Sequence, residues 1–296
     1  MAAATEIHLL RAAGPERLAA RPTGAAAAGV YTGLRTFRHD RFLWLEAHLA
    51  RLDANIAALG WDYALDHGVV RRGLHAVVTA FPAGDARVRL DVLAAGPVDE
   101  RIVCELTPRV PVPAEFLAAG VGIATTRALE RRRPRIKTSS FIEERKPYPL
   151  QDQECYEHVM LSADGRLLEG TSSNFFGARD GVLLTSGEDV LEGITRKVFL
   201  FLADRAGISV DLAGVRLSEV ATLDEAFITS SSRGLVPVRA IDGRGVGDGV
   251  PGPVARRLLR DYEVLAEHEA RPAIESPGES PGAGGVTDGA GPAPRR

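Results

Sequence analysis

Arg135-Ile136-Lys137-Thr138-Ser139-Ser140 is the stretch on which the reading of this chain turns. Lys137 is one of only three lysines. Lys146 and Lys197 are the others, and the rest of the 36 basic residues are arginine. A guanidinium stays protonated and is a poor nucleophile, whereas a lysine amine can lose its proton and form a Schiff base. The basic run Arg131-Arg132-Arg133-Pro134-Arg135 comes just before it. Neighbouring positive charge lowers a lysine's pKa and favours the free amine. The bland alternative is a surface lysine in a basic loop, and this stretch alone does not choose between the two.

The chain has 296 residues, 45% hydrophobic and 25% charged, with a formal net charge of -3. That is an ordinary globular composition, long enough for one large or two medium domains, and it does not mark a nucleic-acid binder. Two cysteines, Cys104 and Cys155, stand far apart with no CxxC or Cys/His cluster, so neither a zinc site nor a disulfide framework is expected. No secretory signal pattern or membrane-length apolar run is present, and a cytoplasmic protein is expected.

In chain order, a weak strand is expected near Glu6–Leu10, and the alanine run Ala25–Ala28 reads as a helix turn or a loose entry segment. A strand follows over Gly29–Phe37, with a turn at His39-Asp40 and a return at Phe42–Trp44. Leu45, Leu49, Leu52, Ile56 and Leu59 recur at helical spacing and Gly60 stops them, which predicts a helix. A second helix is expected over His67–Phe81. Strands follow at Ala86–Ala94 and Arg101–Thr107. Arg109–Pro113 reads as a linker. The second half is predicted to open with a strand at Val121–Thr126. A meander comes next, with Asp-Gly hairpin turns at Asp164-Gly165 and Asp180-Gly181. A helix is expected over Ile194–Ala206, a short helical piece over Val215–Val220, strands at Ala226–Ser230 and Val236–Ile241, and a last helix over Pro253–His268. From Glu269 onward Pro, Gly, Ser and Ala dominate, which predicts a disordered tail.

Four features of the second half carry chemistry. Leu168-Glu169-Gly170-Thr171-Ser172-Ser173-Asn174 puts an acid at a strand end beside hydroxyls. Leu191-Glu192-Gly193-Ile194-Thr195-Arg196 opens a helix whose free amides and dipole suit a phosphate. Thr229-Ser230-Ser231-Ser232-Arg233-Gly234 is a hydroxyl cluster just after a strand. Lys137 is the fourth. Each alone also reads as an ordinary turn, helix start or surface residue. Gly247, Gly249 and Gly252 match GxGxxG formally, but Pro251 lies inside the match and no βαβ unit follows, so a loop is expected there.

In their order, these segments resemble the fold type IV PLP enzymes, the class IV aminotransferases. That family includes branched-chain and D-amino acid aminotransferases and 4-amino-4-deoxychorismate lyase. The resemblance covers roughly residues 29–262. It rests on GVYTGLRTF and EAHLARLDANI in the first half, then IKTSS, DGRLLEGTSSNFF, VLEGITR and DEAFITSSSRGLVPV. It implies a two-domain α/β (α+β), D-amino acid aminotransferase-like fold with pyridoxal 5′-phosphate in the interdomain cleft. The implied parts are a variable segment 1–28, a small N-terminal α/β domain 29–112, a larger C-terminal PLP-binding domain 113–266 and a disordered tail 267–296.

By the same resemblance, Lys137 would hold the cofactor as an internal aldimine and shuttle a proton. Glu169 would pair with the pyridine nitrogen. Gly193, Ile194, Thr195, Ser230 and Ser231 would surround the phosphate, and Arg51 would reach it from the first half. Tyr31, Arg35, Arg89, Phe141, Ser231 and Ser232 would shape the substrate side. Arg51 also reads as a solvated helix residue, and Arg89 as a strand surface arginine. The implied reaction moves an amino group from an amino acid or amine to a 2-oxo acid in a cytoplasmic homodimer. The alternatives are a 4-amino-4-deoxychorismate lyase-like enzyme or, from another class, a non-catalytic binding protein on the same fold. The chain departs from the family at Thr32, where an acid is common, at Ala25–Ala28, and at Ser139-Ser140-Phe141. No arginine–histidine carboxylate pair of D-specific members is recognisable, which leaves substrate and stereochemistry open.

Overall fold

The computed structural model describes residues 4–23 and 28–274. Most of the alanine run and the tail beyond 274 lie outside the described residues. The first half contains β1 (Glu6–Arg11), β2 (Gly14–Leu18), β3 (Gly29–Arg35), β4 (Arg41–Phe42), α1 (Leu45–Ala58), α2 (His67–Ala80), β5 (Ala86–Leu93) and β6 (Ile102–Pro108). The second half contains α3 (Ala114–Ala119), β7 (Val121–Thr126), α4 (Ser140–Glu144), β8 (Glu157–Leu161), β9 (Arg166–Gly170), β10 (Asn174–Arg179), β11 (Val182–Leu184), α5 (Ile194–Arg205), β12 (Val210–Asp211) and β13 (Val215–Arg216). It closes with β14 (Glu225–Ser230), β15 (Gly234–Ile241), β16 (Arg244–Gly245), α6 (Pro253–Glu269) and β17 (Arg271–Pro272).

The first sheet runs β2-β1-β6-β5-β3 and is antiparallel throughout. Alternation along its strands sorts the residues. Val30, Leu34, Val88, Leu90, Val92, Cys104 and Leu106 face α1 and α2 in one core. The helices present Leu45, Leu49, Leu52 and Ile56, and Val70, Leu74, Val77 and Val78, at the spacing of one helical stripe. Each such fully buried aliphatic side chain contributes about 1.5–3 kcal/mol. Asp66 caps α2 by accepting from the Val69 amide at 2.9 Å. Tyr31, Gly33, Arg87 and Arg89 lie at the alternate positions of the same strands, on the sheet's other face.

The second sheet runs β12-β11-β10-β14-β15-β7-β8-β9-β13, with β16 on β15. An added β9–β10 pairing at Glu169↔Asn174 closes six of these strands into a barrel and removes their free edges. Leu167, Phe175, Ile228, Val236 and Val238 fill the barrel core. Phe176, Phe227 and Leu235 alternate with them and pack outward onto α5 and α6.

Several details depart from the sequence expectations. Residues 6–18 form a hairpin whose first strand pairs with β6, so they belong to the first sheet. Gly14 sits at φ 122° at its turn, a conformation that favours glycine. The short helices α3 and α4 fall where the sequence reading named no helix. Val215–Arg216 pairs with β9 before a 3-10 turn begins. The chain stays ordered past Glu269, because Arg271–Pro272 pairs with β4 back in the first half. The GxGxxG stretch serves local packing. A side chain at Gly247 would strike the Asp224 carbonyl, and one at Gly252 would strike Glu225. The Glu225 carboxylate accepts from the Val254 and Ala255 amides at the start of α6. Among the described residues no helix is long and apolar enough to cross a membrane, and no His/Cys/Asp/Glu group could hold a metal ion.

Candidate active site

The Lys137 segment comes from the second half of the sequence but is pinned to the first sheet. Tyr31 N donates to the Lys137 carbonyl at 3.0 Å, and Ser139 N donates to the Gly29 carbonyl at 2.9 Å. Residues 137–139 thereby cover the outer edge of β3, which would otherwise be unpaired. From α1, Asn55 Oδ1 accepts from the Lys137 amide at 2.8 Å. With its backbone held at both sides, Lys137 points Nζ over the Tyr31 ring, 4.8 Å from the centroid. Burial pushes its pKa well below the usual range for lysine. Arg51, Arg131 and Arg145 push the same way, and Glu169 opposes them less strongly. The uncharged amine is therefore favoured.

Glu169 stands across the cleft on β9, at the barrel's closure. Its Oε1 accepts from Arg131 Nε at 2.7 Å. Its Oε2 accepts from the Leu191 amide at 3.1 Å and from Asn174 Nδ2 at 3.4 Å. A carboxylate has about four acceptor positions, so three donors leave one for a further N–H. Asn174 is itself held by the Leu191 carbonyl at 2.8 Å. A side chain at Gly193 would meet Asn174 Oδ1 at 2.2 Å, so only glycine fits there.

The cleft is lined by Tyr31, Gly33, Leu34, Arg51 and Arg87 from the first half, and otherwise by residues between Arg131 and Ser232. At one end α5 begins with Ile194 and Thr195 and has no side-chain cap, so its first amides have no intrahelical partner. Thr195 Oγ1 meets Ser231 Oγ at 3.0 Å, which joins the two phosphate-type turns. Arg51 reaches this region from α1. Its Nη2 donates to Thr32 Oγ1 at 2.6 Å. The Thr32 hydroxyl, already accepting there, donates to His48 Nδ1 at 2.7 Å. Burial, then Arg51 and Lys137, hold His48 well below its usual pKa, consistent with a neutral, accepting imidazole. Burial, reinforced by Arg131, lowers Arg51 to about 10 against the pull of Tyr31.

Of the residues singled out in the sequence, Lys137, Glu169, Arg51, Gly193, Ile194, Thr195, Ser230, Ser231, Ser232 and Tyr31 share this cleft. Three do not line it. Arg35 is buried behind it against Phe37 and Tyr262, with its guanidinium 4.3 and 5.5 Å from the ring centroids. Arg89 is bonded to Asp91 at 2.7 Å and stacks on Tyr31 at 4.8 Å, supporting that ring. Phe141 is buried with Leu129 and Met160 under the Arg131 guanidinium at 3.7 Å. Sequence reasoning gave no place in the site to Arg87, Arg131, Arg145, Asn174 and Thr229, which do line it, although Arg131, Asn174 and Thr229 stand in the motifs it quoted. It also passed over a buried pair behind it, in which Arg233 Nη1 donates to Glu157 Oε2 at 2.9 Å. The density of arginine just before Lys137 was the one available signal for Arg131.

Comparisons with known proteins identify the family of the chain. The family model for amino-transferase class IV matches residues 29–241. The D-alanine aminotransferase of Bacillus licheniformis is 29% identical over 241 residues, covering 78% of this chain and 84% of that protein. The probable branched-chain-amino-acid aminotransferase of Thermotoga maritima is 36% identical over 112 residues, which span 37% of this chain and 41% of that relative. Among solved structures, a T.th. branched-chain amino acid aminotransferase with pyridoxamine 5′-phosphate superposes with a TM-score of 0.74 at 20% identity, covering 93% of this chain and 99% of that one. Class IV aminotransferases use pyridoxal 5′-phosphate, and the residues here fit it. Arg51 has no carboxylate partner among the described residues, and its buried Nε is unbonded. The buried Thr229 hydroxyl on the cleft wall likewise has no hydrogen-bond partner among them. These groups, the bare start of α5 and the free acceptor position on Glu169 match a phosphate at one end of the cleft and a protonated ring nitrogen at the other. On the match over 29–241 and this donor set, the chain belongs to the class IV aminotransferases.

Proposed function

We propose that this protein moves an amino group between an amino acid or amine and a 2-oxo acid, with Lys137 as the anchoring and proton-moving residue. The observation that carries the reading is Lys137, whose Nζ lies 4.8 Å from the Tyr31 ring centroid in the cleft that Glu169, Thr195 and Ser231 also line, where burial and nearby arginines lower its pKa. Bound in this cleft, pyridoxal 5′-phosphate supplies an aldehyde carbon for the amino group and a ring that takes up electrons from the breaking Cα–H bond. The Ile194 and Thr195 amides, the Thr195 and Ser231 hydroxyls and Arg51 hold the phosphate. Gly193 and Ser230 shape the two turns around it. Glu169 accepts from the ring N–H and keeps that proton in place, while Arg131 fixes the carboxylate. Lys137 Nζ takes the Cα proton of the amino donor, a role open to it because its surroundings favour the uncharged amine. Ser232 and Tyr31 border the space left for the substrate.

Reconstitution tests this reading. Adding pyridoxal 5′-phosphate is expected to give the visible absorbance of a cofactor joined to a lysine, and Lys137→Ala should abolish that band. Amino donors should bleach the wild-type band and release their 2-oxo acids. Absence of the band in wild type would overturn the proposal. Release of pyruvate from 4-amino-4-deoxychorismate without amino transfer would assign the lyase reaction instead.

A further inference from the structure

Asp91 on β5 is closed off from solvent, at 0% exposure, on the face of the first sheet that carries Tyr31. Apolar groups surround it there. Val103 is its direct partner on β6, Leu93 lies two positions along its own strand, and Leu9 pairs with Val103 from β1. A hydrophobic side chain at 91 would extend that patch without taking a charge out of water. Ion pairs buried in such surroundings are often no more stabilising than well-packed apolar replacements. Stability by itself therefore does not account for an aspartate at this position.

Its contacts point to a task. Asp91 Oδ1 accepts from Arg89 Nη2 at 2.7 Å, from two positions back on the same strand and the same face. The cross-strand partner of Arg89 is Gly33, which has no side chain to compete for the guanidinium, and Tyr31 is its diagonal neighbour. Held by Asp91, the guanidinium lies 4.8 Å from the Tyr31 ring centroid, a favourable stacking for a cation shielded from water. Lys137 Nζ lies over the same ring, again 4.8 Å from the centroid. The Tyr31 backbone is already fixed, because its amide donates to the Lys137 carbonyl at 3.0 Å. The ring torsion is what Arg89 adds. Asp91 is gripped from its other side as well. Its Oδ2 is 2.5 Å from Arg21 Nη2, and Arg21 Nη1 donates to Glu105 Oε2 at 3.1 Å.

We propose that Asp91 is a positioning residue for the reaction: by fixing Arg89 over Tyr31, it sets the ring against which Lys137 Nζ rests while it moves the Cα proton. The inference deepens the aminotransfer reading above and rests on it. Neither Asp91 nor Arg89 lines the cleft, so both act through Tyr31, which does.

Fluorine NMR of the full-length protein carrying meta-fluorotyrosine tests the first link. The chain has five tyrosines, and Tyr31→Phe identifies the signal of Tyr31. Asp91→Asn and Arg89→Gln are each expected to shift and broaden that signal in the apoprotein and to leave the rest in place. With pyridoxal 5′-phosphate added, both should lower kcat and kcat/KM together by about tenfold or more, the scale of a small misplacement at a reacting centre. The double variant should be no worse than the more severe single one, because the two residues act as one unit. Arg21→Gln separates positioning from bracing. It should lower the unfolding midpoint while the Tyr31 signal and kcat are retained. Asp91→Asn/Arg21→Gln should regain stability but not the Tyr31 signal. An unaltered Tyr31 signal in folded Asp91→Asn or Arg89→Gln, or a loss of kcat in Arg21→Gln equal to that in Asp91→Asn, overturns the positioning role. The fluorine signals are read without cofactor, and a missing cofactor band in wild type overturns the aminotransfer reading separately.

Discussion

Glu157 on β8 and Glu169 on β9 are both closed off from solvent, at 0% and 1% exposure, but they do different work. Glu157 accepts from Thr171 Oγ1, the Ser172 amide, Ser172 Oγ, Ser173 Oγ and Arg233 Nη1, at distances from 2.5 to 3.2 Å. Its acceptor capacity is filled. Through Arg233, which also donates to Ser230 Oγ and Ser172 Oγ at 2.9 Å, it ties the 171–173 turn to the 230–232 turn. Glu169 has three donors, one acceptor position left and a place on the cleft wall. A buried charge without donors would be intolerable in either place. A saturated carboxylate braces the fold, and one with capacity left over can meet a ligand.

The largest effect expected from breaking this contrast is on stability. Glu157→Ala leaves Arg233 buried without its partner and should cost about 3–5 kcal/mol by denaturant unfolding. The double variant Glu157→Gln/Arg233→Met should recover much of that loss. Burial raises the Glu157 pKa, but Arg233 and the Ser172 amide outweigh it, so the net shift is downward. Its contribution is therefore complete above about pH 4.3 and fades as pH falls through the lowered folded value.

Glu169→Gln should show the opposite pattern. We expect kcat to fall about 10²–10³-fold, the scale seen when one preorganised hydrogen-bond partner is removed from a reacting centre, with a smaller loss of stability than Glu157→Ala. Steady-state kinetics beside unfolding curves would check it. If Glu157→Gln lowered kcat as much as Glu169→Gln without unfolding the protein, the distinction would be lost.

Lys137 extends the comparison to a cation. Its folded pKa is depressed, so between that value and about 10.4 the unfolded apoprotein holds a proton that the folded apoprotein has released. Stability should rise with pH in that window, by up to about 1.4 kcal/mol per unit. Below the window both states are protonated and the cost of burying the charge is constant. Lys137→Met should lack this rise in apoprotein unfolding measured against pH. The smallest effect is expected from Thr32→Val, which removes the acceptor for Arg51 and the donor to His48. Cofactor affinity should weaken about fivefold, near 1 kcal/mol, in an equilibrium titration.

Much was written locally. The helical stripe from Leu45 to Ile56, the Asp-Gly hairpins, the glycine before Ile194-Thr195 and the acid at the end of β9 depend on neighbours a few residues away, and so could be read from the sequence. Arg35, Arg89 and Phe141 could not be placed that way. Arg35 finds Tyr262 from the far end of the chain, Arg89 turns to Asp91, and Phe141 is drawn into a small core of its own beneath Arg131. The N-terminal hairpin was undervalued because its strands are half-exposed and one is broken by Gly14-Pro15. Only pairing with β6 gives it a place in the sheet.

The sequence by itself determined most of the elements and the family and singled out the lysine, because periodicity, turn chemistry and a rare amine among arginines are local facts. Only the tertiary structure decided why the uncharged amine is favoured there and what it faces. Lys137 owes its position to hydrogen bonds from β3 and α1, and its lowered pKa to burial beside Arg51, Arg131 and Arg145. Charges remote in the chain interact strongly only after folding brings them together and excludes water from between them.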